Sequence, residues 1–210
     1  LADYTIVKKS ITGWSIAREV ALPFEIDEGF CVNVGWPKQV KRYVFPSVTP
    51  EFPRLANTIQ EPWHFLKVCA EPEVVAGLLP PRWVIQPIGY MMTCDDTTPA
   101  KTLLANGYNL QVEHGTVSVA RILTADGVVA AIGRVVIVDD YAIYDRIETH
   151  SNHRRKGLGS AVMAALNEIA INRGVNKGVL VATEQGMSLY GKLGWALYSV
   201  YTTAVIPGNE

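Results

Sequence analysis

The sequence predicts an α+β protein built on a mixed, mostly antiparallel sheet flanked by helices. Three observations predict it. Val117 to Leu123 and Val128 to Val138 are strands rich in β-branched residues, joined at the hairpin turn Asp126-Gly127, and a third strand, Tyr141 to Thr149, follows Asp139-Asp140. A glycine-bearing turn, Arg154-Arg155-Lys156-Gly157-Leu158-Gly159, then opens a long helix. Beyond that helix the chain returns to a buried strand, a short helix and a closing strand region.

Each element has a local cause. Residues 1 to 60 hold Pro23, Pro37, Pro46, Pro50 and Pro53, which interrupt any long helix and favour short elements joined by turns. Trp63 to Ala70 reads as a buried strand, Pro72 to Leu79 as a short helix with proline in its first turn, and Trp83 to Cys94 as a strand or hairpin arm. The polar segment Asp95-Asp96-Thr97-Thr98-Pro99 is the expected boundary, dividing the chain into 1–98 and 99–210. In the second half Leu158, Ala161, Val162, Ala165, Leu166, Ile169 and Ala170 recur at three- and four-residue intervals, the mark of an amphipathic helix, and Gly174 stops it. Gly178 to Ala182 is a strand of β-branched residues, Gln185 to Leu193 a short helix ended by Gly194, and Trp195 to Val205 the closing strand region.

Composition narrows the function classes. At 210 residues, 49% hydrophobic and 19% charged, the chain reads as a folded globular protein of one large or two small domains. Nineteen basic against twenty acidic residues leave a charge of −1 and no field to hold a polyanion, so nucleic acid is not an expected partner. The densest basic stretch, Lys38 to Tyr43, reads as a solvated face. Cys31, Cys69 and Cys94 fit neither a disulfide framework nor a zinc site, which points to a reducing cytoplasm and no metal. No apolar run approaches the ~20 residues that cross a bilayer, and the N-terminus lacks the pattern of a leader, so no membrane role is expected.

The turn at 154–159 carries the chemistry. A strand running into such a turn and then a helix leaves the first helical N–H groups unpaired and pointing outward, where they attract phosphate. Gly157 and Gly159 remove side chains that would block close approach, while Arg154, Arg155 and Lys156 bring cations. Other schemes lack their motifs: there is no Gly-x-Ser-x-Gly elbow, no Gly-Lys-Ser/Thr loop and no His-Glu-x-x-His.

Arg154 to Gly159 resembles the acyl-CoA-binding motif of the GCN5-related N-acetyltransferase (GNAT) family: Gln or Arg, two residues, Gly, one residue, then Gly or Ala. Leu189-Tyr190-Gly191-Lys192-Leu193-Gly194-Trp195 resembles that family's second landmark, and the order of elements between them agrees; the resemblance covers roughly 116 to 205. It departs from the family at Thr183 and Gly186, where Asn and Ala are common. The family's opening strand and helices are not legible between 99 and 115, so the N-terminal half must contribute something. His64 to Cys94 resembles the strand-helix-strand ending of a worn-down copy of the same fold, as in tandem acetyltransferase proteins.

The resemblance implies acetyl-CoA as co-substrate, no metal, and transfer of the acetyl group to a primary amine of a small molecule or peptide by direct attack in a ternary complex. Self-association into a homodimer is compatible with it. Ile147, Glu148 and Thr149 match the strand that holds pantetheine; Arg154, Arg155, Lys156, Gly157, Leu158, Gly159 and Ser160 match the pyrophosphate turn; Thr183 and Tyr190 match further cofactor contacts. Tyr190 holds the position of the family's usual general acid, and a phenol with a pKa of ~10 can donate to a departing thiolate whose conjugate acid has a pKa of ~8.5. Asp145 and Glu148 are candidates for the carboxylate that takes the amine's proton. Family positions favour Asp145, although an ion pair with Arg146 or another cation is an equal alternative. Plain alternation puts Asp145 on one face with Ile147 and Thr149, and Glu148 on the other with Arg146, unless a bulge intervenes. The acceptor is expected in the cleft between the halves, where acidic pairs such as Asp27-Glu28, Asp95-Asp96 and Asp139-Asp140 could draw in a cation. The alternative function is a non-catalytic acyl-CoA sensor or interaction module.

Overall fold

The prolines that begin at Pro23 leave the first stretch of chain free to coil, and in the computed structural model, which describes residues 1–97 and 104–208, a long helix forms there. Helix α1 (Tyr4–Ala17) corrects the expectation of short elements only, because every proline lies beyond it. Asp3 caps it: its Oδ1 accepts from the N–H groups of Thr5 at 2.8 Å and Ile6 at 3.0 Å. There follow β1 (Phe24–Ile26), β2 (Gly29–Trp36), β3 (Gln39–Phe45), α2 (Glu51–Thr58), β4 (His64–Val68), α3 (Pro72–Ala76), β5 (Val84–Ile85) and β6 (Gly89–Cys94). The second stretch holds β7 (Tyr108–Glu113), β8 (Val117–Thr124), β9 (Val129–Val138), β10 (Tyr141–Thr149), α4 (Leu158–Asn172), β11 (Lys177–Ala182), α5 (Glu184–Lys192) and β12 (Ala196–Val205). The expected boundary at Thr98-Pro99 lies outside the described residues.

One mixed sheet runs in the order β1-β2-β3-β4-β12-β6-β11-β10-β9-β8-β7, with β5 beside β12. The same connectivity occurs twice. Strand β2 is antiparallel to β3, α2 follows, and β4 returns parallel to β3; likewise β9 is antiparallel to β10, α4 follows, and β11 returns parallel to β10. The two halves trade strands where they meet. Strand β6 lies between β11 and β12, and β12, the last strand of the chain, lies between β6 and β4.

Alternation along the strands sorts the two faces. Ala142 and Tyr144 of β10 join the cluster under α4 with Leu158, Val162 and Leu166, while Ile143 between them joins the cluster under α1 with Val7 and Ile11. Burying each of the Val, Leu and Ile side chains among these contributes about 1.5–3 kcal/mol, which helps to hold the helices on the sheet. In the first half Phe45 packs against Phe52 of α2, whereas Val44 faces the α1 side. Helix α1 therefore covers the face of the second half opposite α4. Among the described residues no helix is long and apolar enough to cross a membrane.

Gly13 sets how closely α1 approaches, since a Cβ there would fall inside the Ile143 side chain. The clash involves the stem of Ile143 rather than a flexible tip, so the helix would have to lift. Gly13→Ala is expected to lower stability by about 3 kcal/mol and the melting temperature by roughly 10 °C, measured by circular dichroism. The basic stretch at 38–43 is not a uniform solvated face either. Lys38 is exposed, but Arg42 turns inward and its guanidinium stacks 3.5 Å from the centre of the Trp14 ring.

Candidate active site

Parallel pairing between β10 and β11 runs only from Tyr141 opposite Lys177 to Tyr144 opposite Leu180. Strand β10 continues to Thr149, while Val181 and Ala182 of β11 stay paired with β6. The strands therefore part, and a wedge opens between them. Along it the backbone groups of residues 145–149 that face β11 have no strand partner, so an extended ligand could complete the ladder.

A bulge shapes the wall of this wedge. Arg146 takes φ +51°, Asp145 lies opposite Arg134 and Glu148 opposite Ile132, so one extra residue of β10 is accommodated. Directly opposed residues share a face, and Arg134 and Ile132 are two apart. Asp145 and Glu148 consequently project to the same side, that of α1. This reverses the assignment from plain alternation: Ile147 instead lies on the α4 side, against Gly133, where a Cβ would come within 2.7 Å of it.

The two carboxylates differ in what they touch. Both oxygens of Asp145 accept from Arg18 just past the end of α1, Nε to Oδ2 at 2.7 Å and Nη2 to Oδ1 at 2.9 Å, and both side chains are largely buried. The ion-pair alternative for Asp145 is thus the arrangement found, with Arg18 as partner in place of Arg146. Glu148 is exposed and has no ion-pair partner among the described residues.

The turn adopts the form its glycines permit. Arg155 sits at φ +63° and Gly157 at φ +74°, and among the described residues no side chain caps α4. The backbone bond from the Ala161 N–H to the Gly157 carbonyl, 3.0 Å, is the first of the helix. The N–H groups of Leu158, Gly159 and Ser160 are left without intrahelical partners. Arg154, Arg155 and Lys156 are exposed around them. Arg154 Nε donates to the Thr149 carbonyl at 3.4 Å, while Lys156 Nζ is turned aside to donate to Tyr108 Oη at 2.9 Å. At Gly159 a Cβ would stand 3.1 Å from Leu189 Cδ2 and 3.7 Å from Thr149 Oγ1. The turn, the end of β10 and α5 converge there.

Tyr190 is buried on α5, one turn from Gly186, where a Cβ would lie 3.1 Å from the ring and 3.6 Å from Ala182 at the end of β11. Glycine at 186 leaves the space the ring uses. Burial pushes the Tyr190 phenol up to about 12, so it holds its proton well above neutrality. The Thr183 hydroxyl accepts from the Gly186 N–H at 3.2 Å and caps α5, which engages the oxygen that sequence reasoning offered to the cofactor.

Two participants were not legible in the sequence. Arg18 meets Asp145 across 127 positions of chain, and no local pattern marks such a contact. Tyr108, on strand β7, holds Lys156 and lies 2.8 Å from His153 Nδ1, and no motif marks it in the sequence.

The comparisons agree with this geometry. The model of the acetyltransferase (GNAT) family matches residues 90–195, half of the chain. The chain is 35% identical over 69 residues to YobR of Bacillus subtilis (strain 168), described as an uncharacterized N-acetyltransferase; the match takes in 31% of this chain and only 28% of the length of YobR. Among solved structures, a GCN5-related N-acetyltransferase from Kribbella flavida superposes with a TM-score of 0.69 at 16% identity, covering 97% of this chain and 96% of that one. Another from Sphaerobacter thermophilus gives a TM-score of 0.62 at 10% identity, over 87% and 78%. At such identities these two speak to the fold alone. With the family model spanning the wedge, the turn and the Tyr190 helix, the chain belongs to the GNAT family of acetyltransferases.

Proposed function

We propose that the protein transfers the acetyl group of acetyl-CoA to a primary amine by direct attack in a ternary complex. The observation that carries this reading is the convergence, at Gly159, of a strand wedge, a bare helix N-terminus and the helix that bears Tyr190. The pyrophosphate would sit on the N–H groups of Leu158, Gly159 and Ser160, flanked by Arg154 and Arg155. Pantetheine would run along Ile147 to Thr149 as an added strand, with its thioester toward the bulge.

The amine nitrogen attacks the thioester carbonyl carbon, the carbon–sulfur bond breaks, and the amine's proton passes to a base. Glu148, on the α1 side of the bulge and free of ion pairs, suits that role directly or through one water better than Asp145 does. The departing thiolate takes its proton from the Tyr190 phenol. Release of free thiol from acetyl-CoA across a panel of amines tests the reaction; silence with every acceptor class would sink it. Glu148→Gln is expected to lower kcat about 100-fold with acetyl-CoA binding retained, and an unchanged kcat would remove Glu148 from the scheme.

A further inference from the structure

Of the acidic pairs, Asp139-Asp140 is engaged by lysines. Asp140 is bound to Lys9 and, at 3.3 Å, to Lys177 on the surface. Beneath α1 lies instead a cavity of about 180 Å³, bordered by Asp145 and Val181 where the wedge begins. Its charged lining is Arg18 from α1, Arg42 from β3, Lys67 from β4 and Asp145 from β10. That is three cations against one carboxylate, and the carboxylate is already held by Arg18 in two hydrogen bonds.

The hydrogen bonds of Arg42 and Lys67 go to neutral groups. Arg42 stacks on Trp14, and the Gln39 amide, with its oxygen turned inward, accepts from Nη2 and Nε at 2.9 Å each. Lys67 Nζ donates to Thr203 Oγ1 at 2.6 Å and lies 5.3 Å from the centre of the Tyr201 ring, leaving two of its three donors. Three partly buried cations against one carboxylate that Arg18 already holds are costly, and an anion in the cavity would offset that cost.

We infer that this cavity receives a carboxylate or phosphate group of the acceptor, so that the substrate is an amine that also bears an anion, with the anion seated on Lys67 and Arg42 and the amine directed to the wedge. The inference rests on the transfer reaction proposed above. The volume suits a head group and a few carbons rather than a whole cofactor. Burial, with Arg42 and Arg18 adding to it, holds the Lys67 ammonium well below the ordinary lysine range, and burial likewise lowers Arg42 to about 10. An anion here favours the charged form of Lys67, which raises its proton affinity; Arg18, Arg42, Asp145 and Tyr201 are the titratable and charged groups on the surrounding elements.

Thermal melts with millimolar propionate or methylphosphonate, and thiol release with 4-aminobutyrate, 3-aminopropylphosphonate and 4-aminobutanamide, test the assignment in the intact protein. Saturable stabilisation by propionate alone identifies a carboxylate, and by methylphosphonate alone a phosphate. Lys67→Met is expected to abolish that stabilisation, to raise KM for the anionic amine roughly 30-fold with kcat little changed, and to melt several degrees higher than wild type without ligand. Arg42→Gln supplies a second variant in which the same KM rise is expected. No saturable anion effect on the wild type, anion stabilisation of both variants equal to that of the wild type, or an uncharged amide accepted as readily as the anionic amines overturns the anion site while leaving acetyl transfer intact. Anion binding that depends on Lys67, with no thiol released from any amine, overturns the transfer reaction and leaves the anion site standing.

Discussion

Tyr190→Phe is expected to lower kcat about 100-fold while changing the affinity for acetyl-CoA little. The phenylalanine ring fills the same space against Gly186 and near Trp195, whose ring centre lies 6.3 Å from that of Tyr190, so the fold loses no packing. What disappears is a single O–H. Among the described residues that hydroxyl has no hydrogen-bond partner, so its removal strands no buried group. With the phenol pushed up to about 12, the donor stays protonated across the working range, and the loss should be as large at pH 9 as at pH 7. Steady-state kinetics at both values checks this; a variant with full turnover would assign Tyr190 to packing alone.

Gly159→Val is the second large effect, and it acts on binding rather than chemistry. In the proposed donor site a branched side chain in the first turn of α4 would stand where the pyrophosphate approaches the helix N–H groups, and each charge-assisted hydrogen bond lost there costs about 1.5–3 kcal/mol. The expected weakening of acetyl-CoA binding is therefore about 100-fold. Stability should change little. Valine has a better helix propensity than glycine, and among the described residues the close neighbours of the new Cβ are Leu189 Cδ2 at 3.1 Å, which can rotate, and Thr149 Oγ1 at 3.7 Å.

The second half of the fold was legible because its signals are local. Periodicity placed the strand at Tyr141 to Thr149 with the bounds the structure has, and the glycines at 157 and 174 bracket α4 as expected. The first half depends on longer-range causes. Helix α1 carries Gly13 and several β-branched residues and forms against the sheet; β6 and β12 find their places only by pairing across the junction. The site divides in the same way. The turn and Tyr190 follow from sequence, whereas the reversal of Glu148 depends on Arg146 entering a left-handed conformation that no glycine announces. The partner of Asp145 is not legible in the sequence because Arg18 lies far from it along the chain, and the basic run at 38–43 holds an inward-facing arginine.

Calorimetric titration of acetyl-CoA into the wild type and Gly159→Val, side by side, tests most directly whether the wedge and the turn form the donor site. The account predicts saturable binding at one site per chain in the wild type and roughly 100-fold weaker binding in the variant. No heat from the wild type at millimolar ligand, or equal affinity in the two proteins, would contradict it.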